Sequence, residues 1–218
     1  MTGDSGNVTA DSGNSPEIGH DKTESAVTIA RNERSRSNGI SGHVRPEYAE
    51  RFHPLGYKGA FGYRLRYFIR SGSLRLGCAL LAGAAKAIAV RDRWIGWSSG
   101  ARLRNLPQVI NNSRFLIFPH VQVPQLASHV LGQLARRVVA DWQRHWGFAP
   151  VLMETFVDPR HYAGTCYRAA GWELLGKTSG RGLIRAGKAY QTTPRLVWVK
   201  PLAGEFRRVL CAPTSAGG

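Results

Sequence analysis

Two carboxylates in the last third of the chain could act together on a substrate or a metal ion. Glu154 interrupts an apolar run, Val151-Leu-Met-Glu-Thr-Phe-Val157, where an ionised side chain must find a partner or take up a proton. Asp158 follows four residues later, on the same side if the run is extended. Such a pair could act as a general base or hold Mg²⁺ for a nuclease reaction. A structural salt bridge from Glu154 to Arg114, Arg168 or Arg181 explains the same residue and is the favoured alternative. His129 stands alone near the start of a helical pattern and reads as a hydrogen-bonding residue rather than a catalytic one.

A second set of residues could bind polyanions. Arg91, Arg93, Trp94 and Trp97 combine guanidinium groups for phosphate with indole faces for stacking. Arg102, Arg104, Asn111, Asn112 and Arg114 form another basic stretch. Lys177 and Arg181 lie in Gly176-Lys-Thr-Ser-Gly-Arg-Gly182, extended by Arg185 and Lys188, where glycines leave backbone amides open to phosphate. The bland alternatives are core burial for the tryptophans, of at least one of them above all, and simple solvation for the arginines.

These residues must be positioned by a run of alternating strands and helices. Tyr63, Leu65, Tyr67 and Ile69 alternate with Arg64, Arg66 and Arg70, which suits a strand with one basic face or a short helix. Leu74 to Ala82 reads as a buried strand, Ala84 to Arg93 as an alanine-rich helix, and 98–112 as a polar loop or short helix. Arg114 to Phe118 is an apolar strand closed by Pro119. Pro124 to Trp146 is a long amphipathic helix: Leu126, Val130, Leu134, Val138 and Trp142 recur every four residues, and Gly147 is a natural stop. Strands over Val151–Val157, Glu173–Thr178 and Arg195–Val199, with a second helix before Glu173, complete the pattern.

Composition bounds the rest. The chain has 218 residues, enough for one domain and a tail. Residues 1–51 hold 6 Lys/Arg against 8 Asp/Glu, leaving 24 against 6, a balance of +18, for 52–218. A surface so positive attracts nucleic acid first and acidic membranes second. Residues 1–42, rich in Ser, Gly, Asn, Asp and Thr, read as a disordered tail. Residues 43–60 are transitional, 61–210 form the domain, and 211–218 are a flexible tail. Three dispersed cysteines, Cys78, Cys166 and Cys211, suggest neither a zinc site nor a disulfide framework. The apolar run from Leu76 to Val90 is broken by Lys86 and short for a membrane span. With no signal-peptide pattern, the expectation is a cytoplasmic protein with no membrane contact. No helix-turn-helix, RNA-binding sheet motif or zinc finger is legible.

Two resemblances add to this reading. Strand, proline-led helix, strand, then Tyr167-Arg-Ala-Ala-Gly-Trp172 and another strand resemble the second half of a GNAT acetyltransferase. That implies an α/β fold, a GNAT-like mixed sheet flanked by helices, preceded here by the disordered tail. It also places Tyr167 where such enzymes often protonate a leaving thiolate, although packing of its helix on the sheet would account for it. The phosphate-binding turn of those enzymes would fall at Gln125-Leu-Ala-Ser128-His-Val130, without its glycines, so no cofactor is expected.

The second resemblance is more specific. Arg91-Asp-Arg-Trp-Ile-Gly-Trp97, Asn112-Ser-Arg-Phe-Leu-Ile117, Leu126-Ala-Ser-His-Val-Leu131, Glu154-Thr-Phe-Val-Asp158, Gly164-Thr-Cys-Tyr-Arg-Ala-Ala170 and Thr178-Ser-Gly-Arg-Gly182 are similar to the DruA family of the Druantia anti-phage system. Related domains accompany transposases. The resemblance implies a component of anti-phage defence or mobile-element biology. Our expectation is a non-catalytic module that contacts DNA or RNA alongside a helicase or other partner proteins. The alternative is an enzyme, either a divergent acetyl-CoA-dependent N-acetyltransferase or a metal-dependent nuclease using Glu154 and Asp158.

Overall fold

The computed structural model describes residues 27–31, 62–180 and 192–213. Its centre is a seven-stranded mixed sheet. In chain order the elements are β1 (Val27–Arg31), β2 (Arg64–Ser71), β3 (Leu74–Gly83), α1 (Ala89–Ile95), α2 (Ser99–Asn105), a 3₁₀ turn at Leu106–Gln108, β4 (Val109–Ile117), α3 (Leu126–Trp146), β5 (Leu152–Val157), α4 (Thr165–Ala169), β6 (Glu173–Lys177), β7 (Leu196–Pro201) and α5 (Phe206–Cys211). The strand order is β1-β2-β3-β4-β5-β7-β6. Every pairing is antiparallel except β4 with β5. This is the expected GNAT-like mixed sheet flanked by helices.

α3 explains most of the core. Its stripe, Leu126, Val130, Leu131, Leu134, Val138 and Trp142, is buried against Leu65, Tyr67, Ile69, Leu81, Ile110 and Met153 on one sheet face. Each such side chain contributes about 1.5–3 kcal/mol by leaving water. Gly147 ends the helix in a left-handed conformation (φ 83°) with its N–H donating to Gln143 O, as a C-terminal glycine should. The other face buries Ile95, Trp97, Ala101, Phe206 and Leu210 against Val109, Leu152 and Val199. β5 therefore alternates as expected, with Leu152 on the α1–α2–α5 side and Met153 and Val157 on the α3 side.

Several expectations are corrected. The N-terminal segment read as disordered contains β1, because Val27 to Arg31 pairs with Ser71 to Tyr67 and buries Ile29. Its remaining residues, the transitional segment 43–60, and 214–218 lie outside the described residues. The helix expected from Ala84 starts only at Ala89. Backbone groups of Ala85 are drawn off instead, its N–H to Glu154 Oε1 (2.9 Å) and its carbonyl by Arg91 Nη1 (2.9 Å). Pro124 lies just outside α3, whose cap is Gln125 at φ 58°. α5 lacked a clear pattern in the sequence, yet it buries Phe206 and Leu210. Among the described residues, no helix is long and apolar enough to cross a membrane.

Candidate functional site

The parallel pairing of β4 with β5 is brief. Only Val109–Asn111 matches Leu152–Glu154, and the strands then part. The cause is a bulge in β4: Asn112 opposes Leu81 and Arg114 opposes Leu80, leaving Ser113 unmatched. The Ser113 hydroxyl donates to Leu80 O (3.1 Å), satisfying backbone at the irregularity. At the point of divergence the Thr155 hydroxyl donates to Asn112 O (2.9 Å), a side-chain substitute for the ladder. Beyond it the gap opens into a cleft of about 460 Å³, roofed by α4 and the connection leading to it.

The cleft has a polar floor. Asn112 is 3% exposed. Its Nδ2 donates to the Tyr167 hydroxyl at 3.4 Å, and its Oδ1 has no hydrogen-bond partner among the described residues. Tyr167 is packed as well as aimed: it lies against Trp198 (6.4 Å), Trp172 (5.1 Å) and Phe115 (6.4 Å). Burial pushes its phenol well above the ordinary range, against a hydrogen bond with Thr155, so it is a neutral donor at physiological pH. Gly164 makes this approach of α4 possible. Its φ is 75°, and a Cβ there would sit 2.6 Å from Trp198 Nε1, so only glycine fits.

The rim is basic. Arg114 and Arg195 both line the cleft. The Arg114 pKa is lowered by partial burial and then by the Arg195 charge, and its Nη1 donates to Ser113 O (2.6 Å). Asp158 also lines the cleft, but Arg160 grips it through Nη2 (2.7 Å), Nε (3.0 Å) and the backbone N–H (3.1 Å). The Arg160 guanidinium holds that carboxyl well below the usual carboxylate range. Tyr162, 58% exposed, stands at the opening.

Glu154 and Asp158 do not form the expected pair. Glu154 points to the opposite face, is 0% exposed, and accepts from Arg91 Nη1 (2.7 Å) and Ala85 N (2.9 Å). Burial raises its pKa, opposed by the Arg91 charge. Asp158 lies beyond the end of β5, where the Arg160 contacts, not strand alternation, set its direction. Among the described residues no group of three or more His, Cys, Asp and Glu gathers that could hold a metal ion. The salt-bridge expectation for Glu154 holds with a different partner: Arg91, not Arg114, Arg168 or Arg181.

Arg91 is therefore no phosphate contact. Fully buried, it also donates to Asp92 Oδ1 from Nε (3.0 Å) and Nη2 (2.8 Å). Trp97 is buried too, with Nε1 donating to Asp92 Oδ1 (3.1 Å), and Arg102 bridges to Asp92 Oδ2 (3.1 Å). Trp94 is half-buried: it stacks on Phe206 (5.1 Å), donates to Glu173 (2.9 Å) and carries the Arg207 guanidinium above it (4.5 Å). Arg93, Arg104 and Lys177 are exposed. Arg93 and Arg104 belong to the helices on the face opposite α3, so the basic residues separate into a helical group and the cleft group. Asn112 and Arg114 join the cleft; Arg181 lies outside the described residues, as do Arg185 and Lys188. His129 is hydrogen-bonded to Gln133 (2.7 Å). Val130 faces the core, as its place in the apolar stripe of the helix predicts. Sequence reasoning missed Thr155, Arg160, Tyr162 and Arg195; the signal was the polar, aromatic connection Asp158-Pro-Arg-His-Tyr162 directly after a strand.

A family model described as Druantia protein DruA matches residues 44–196. The chain belongs to the DruA family. That family assignment suggests a component of anti-phage defence. The match spans the cleft, including Asn112, Thr155, Tyr167 and Arg195. A search of curated proteins found no match. Among solved structures, this DruA-family chain is similar to an IAA acetyltransferase from Bacillus cereus (11% identity, 81% of this chain and 99% of that one, TM-score 0.49). It is also similar to a putative GNAT acetyltransferase from Desulfovibrio desulfuricans (16%, 82% and 100%, 0.47). A third is a Bacillus subtilis acetyltransferase in complex with CoA (9%, 82% and 100%, 0.45). No activity passes from them to this chain.

Proposed function

We propose that this DruA-family chain acts in anti-phage defence or mobile-element biology by binding nucleic acid. It works in the cytoplasm as a non-catalytic module beside a helicase or other partner proteins. The observation that carries this reading is the pair Arg114 and Arg195 at the mouth of the β4–β5 cleft. Two guanidinium groups lining one cleft can hold a phosphate through charge-assisted hydrogen bonds. A phosphodiester backbone supplies such anions at regular spacing, and the charge of +18 over residues 52–218 draws it in. The exposed ring of Tyr162 beside them offers a base a face to stack on. A nuclease reading loses its main support, since Glu154 is turned away and Asp158 is neutralised by Arg160.

The test is fluorescence anisotropy of labelled single-stranded DNA, single-stranded RNA and duplex with the full chain over a salt series. Thermal denaturation with acetyl-CoA or Mg²⁺ runs alongside. The reading expects oligonucleotide binding that weakens steeply with salt. Stabilisation by acetyl-CoA with no oligonucleotide binding would overturn it in favour of acetyl transfer.

A further inference from the structure

We infer that the β4–β5 cleft is a pocket for one unstacked nucleotide of a single strand, its base on the Asn112–Thr155–Tyr167 floor and its flanking phosphates at Arg114 and Arg195. The inference rests on the nucleic-acid reading above and says where, and in what form, the strand is held.

Three features of the cleft converge on that ligand. Its volume of about 460 Å³ falls in the range of small-molecule sites, about 300–1,000 Å³. Asn112 lies on its floor, 97% removed from solvent by its 3% exposure, with Oδ1 unpartnered among the described residues. A buried acceptor without a donor is costly, and Asn112 lies where β4 parts from β5. The ring or amino N–H of a nucleobase would supply the donor. In a duplex that edge is already paired, so the base must be free of its partner. Aromatic rings line the cleft, Phe115 beside Tyr167 and the exposed Tyr162 among them, matching the stacking platforms that hold unpaired bases. Arg114 and Arg195 stand at the rim, where the sugar–phosphate chain would enter and leave. The polar floor and basic rim thus address different parts of one nucleotide.

Cys166 lines the same cleft, half-buried, and reports on occupancy. The full chain is alkylated with iodoacetamide and the rate at Cys166 is read by peptide mass spectrometry, with exposed Cys211 as internal control. The probes are octadeoxyadenylate, octariboadenylate, an octamer of abasic sites with the same phosphates, and acetyl-CoA. At ten times the Kd of an adenylate octamer, the Cys166 rate should fall about tenfold while Cys211 is unchanged. Whichever octamer protects better tells whether the strand is DNA or RNA. The abasic octamer should bind by anisotropy yet leave Cys166 unprotected. Tyr162→Ala, at an exposed position that leaves the core intact, should weaken the adenylate octamer roughly fivefold or more and the abasic octamer hardly at all. Anisotropy showing tight adenylate binding with Cys166 reacting at its free rate would overturn the pocket while leaving nucleic-acid binding in place. No binding in anisotropy would overturn both. Protection by acetyl-CoA and not by either adenylate would assign the cleft to a different ligand.

Discussion

Replacing Arg91 by methionine isolates what the buried ion pair does. Arg91 and Glu154 are both 0% exposed and 2.7 Å apart. Without the guanidinium, Glu154 keeps only the Ala85 N–H, and Asp92 keeps Arg102, the Ile88 N–H and Trp97. Leaving one charge of a buried pair uncompensated costs about 3–5 kcal/mol. For a domain of this size each kcal/mol lowers Tm by about 2–4 °C, so the drop should be roughly 6–20 °C. Glu154→Gln is gentler, because an amide oxygen still accepts from Ala85 and Arg91 keeps Asp92 and the Ala85 carbonyl; about 1–2 kcal/mol is expected. The double variant Arg91→Met/Glu154→Leu removes both charges and should recover most of the Arg91→Met loss. Thermal and urea unfolding followed by circular dichroism read all four proteins. A double variant no more stable than Arg91→Met would refute the coupling. If Glu154→Gln kept stability but abolished binding or a metal-dependent cleavage, Glu154 would be functional and the structural account wrong.

Gly164→Ala, with its Cβ 2.6 Å from the Trp198 indole and a φ of 75°, should cost more than about 1 kcal/mol in thermal unfolding; an unchanged Tm would contradict the packing described. Burial pushes the Cys78 thiol up to about 11. Ellman's reagent at pH 8 should therefore modify exposed Cys211 quickly and Cys78 only on unfolding, and early labelling of Cys78 would count against that core. Asp158 neutralises Arg160, so Asp158→Asn should free that guanidinium and tighten binding of a single strand, by about fourfold for each further phosphate neutralised near 0.15 M salt. The folded pKa of Asp158 is depressed, so the contribution of its pairing to stability is present above the ordinary carboxylate pKa and lost only as pH falls well below it. Wild-type affinity should show no step from this group between about pH 5 and 7, and such a step abolished by Asp158→Asn would refute the assignment.

How far the sequence could be read depended on what kind of signal each element carries. α3 announced itself, because five apolar residues four apart and a terminal glycine specify one face and one end. β2 and β5 were readable from alternation, and the side taken by Glu154 followed from Leu152. β1 was hidden because five residues in a polar segment become a strand only by pairing with β2, a tertiary event. Arg91 was misread for a related reason: a lone arginine beside tryptophans looks like a phosphate ligand, and only the fold brings Glu154 to it from 63 residues away. The cleft was the least legible feature. It arises from a one-residue bulge at Ser113 and assembles Asn112, Thr155, Tyr167 and Arg195 from four separate elements and connections.

If a nucleic-acid strand engages the cleft rim, its phosphates displace counterions there and binding must weaken with salt. For single strands the slope of log K against log salt is about −0.7 per neutralised phosphate. Anisotropy of a labelled single-stranded oligonucleotide should show a clear negative slope for the wild type. Arg114→Gln combined with Arg195→Gln should make that slope shallower by about 1.4, two phosphates' worth, while Tm holds. A wild-type slope near zero, or a double variant that binds with an unchanged slope, would mean that no strand lies against Arg114 and Arg195.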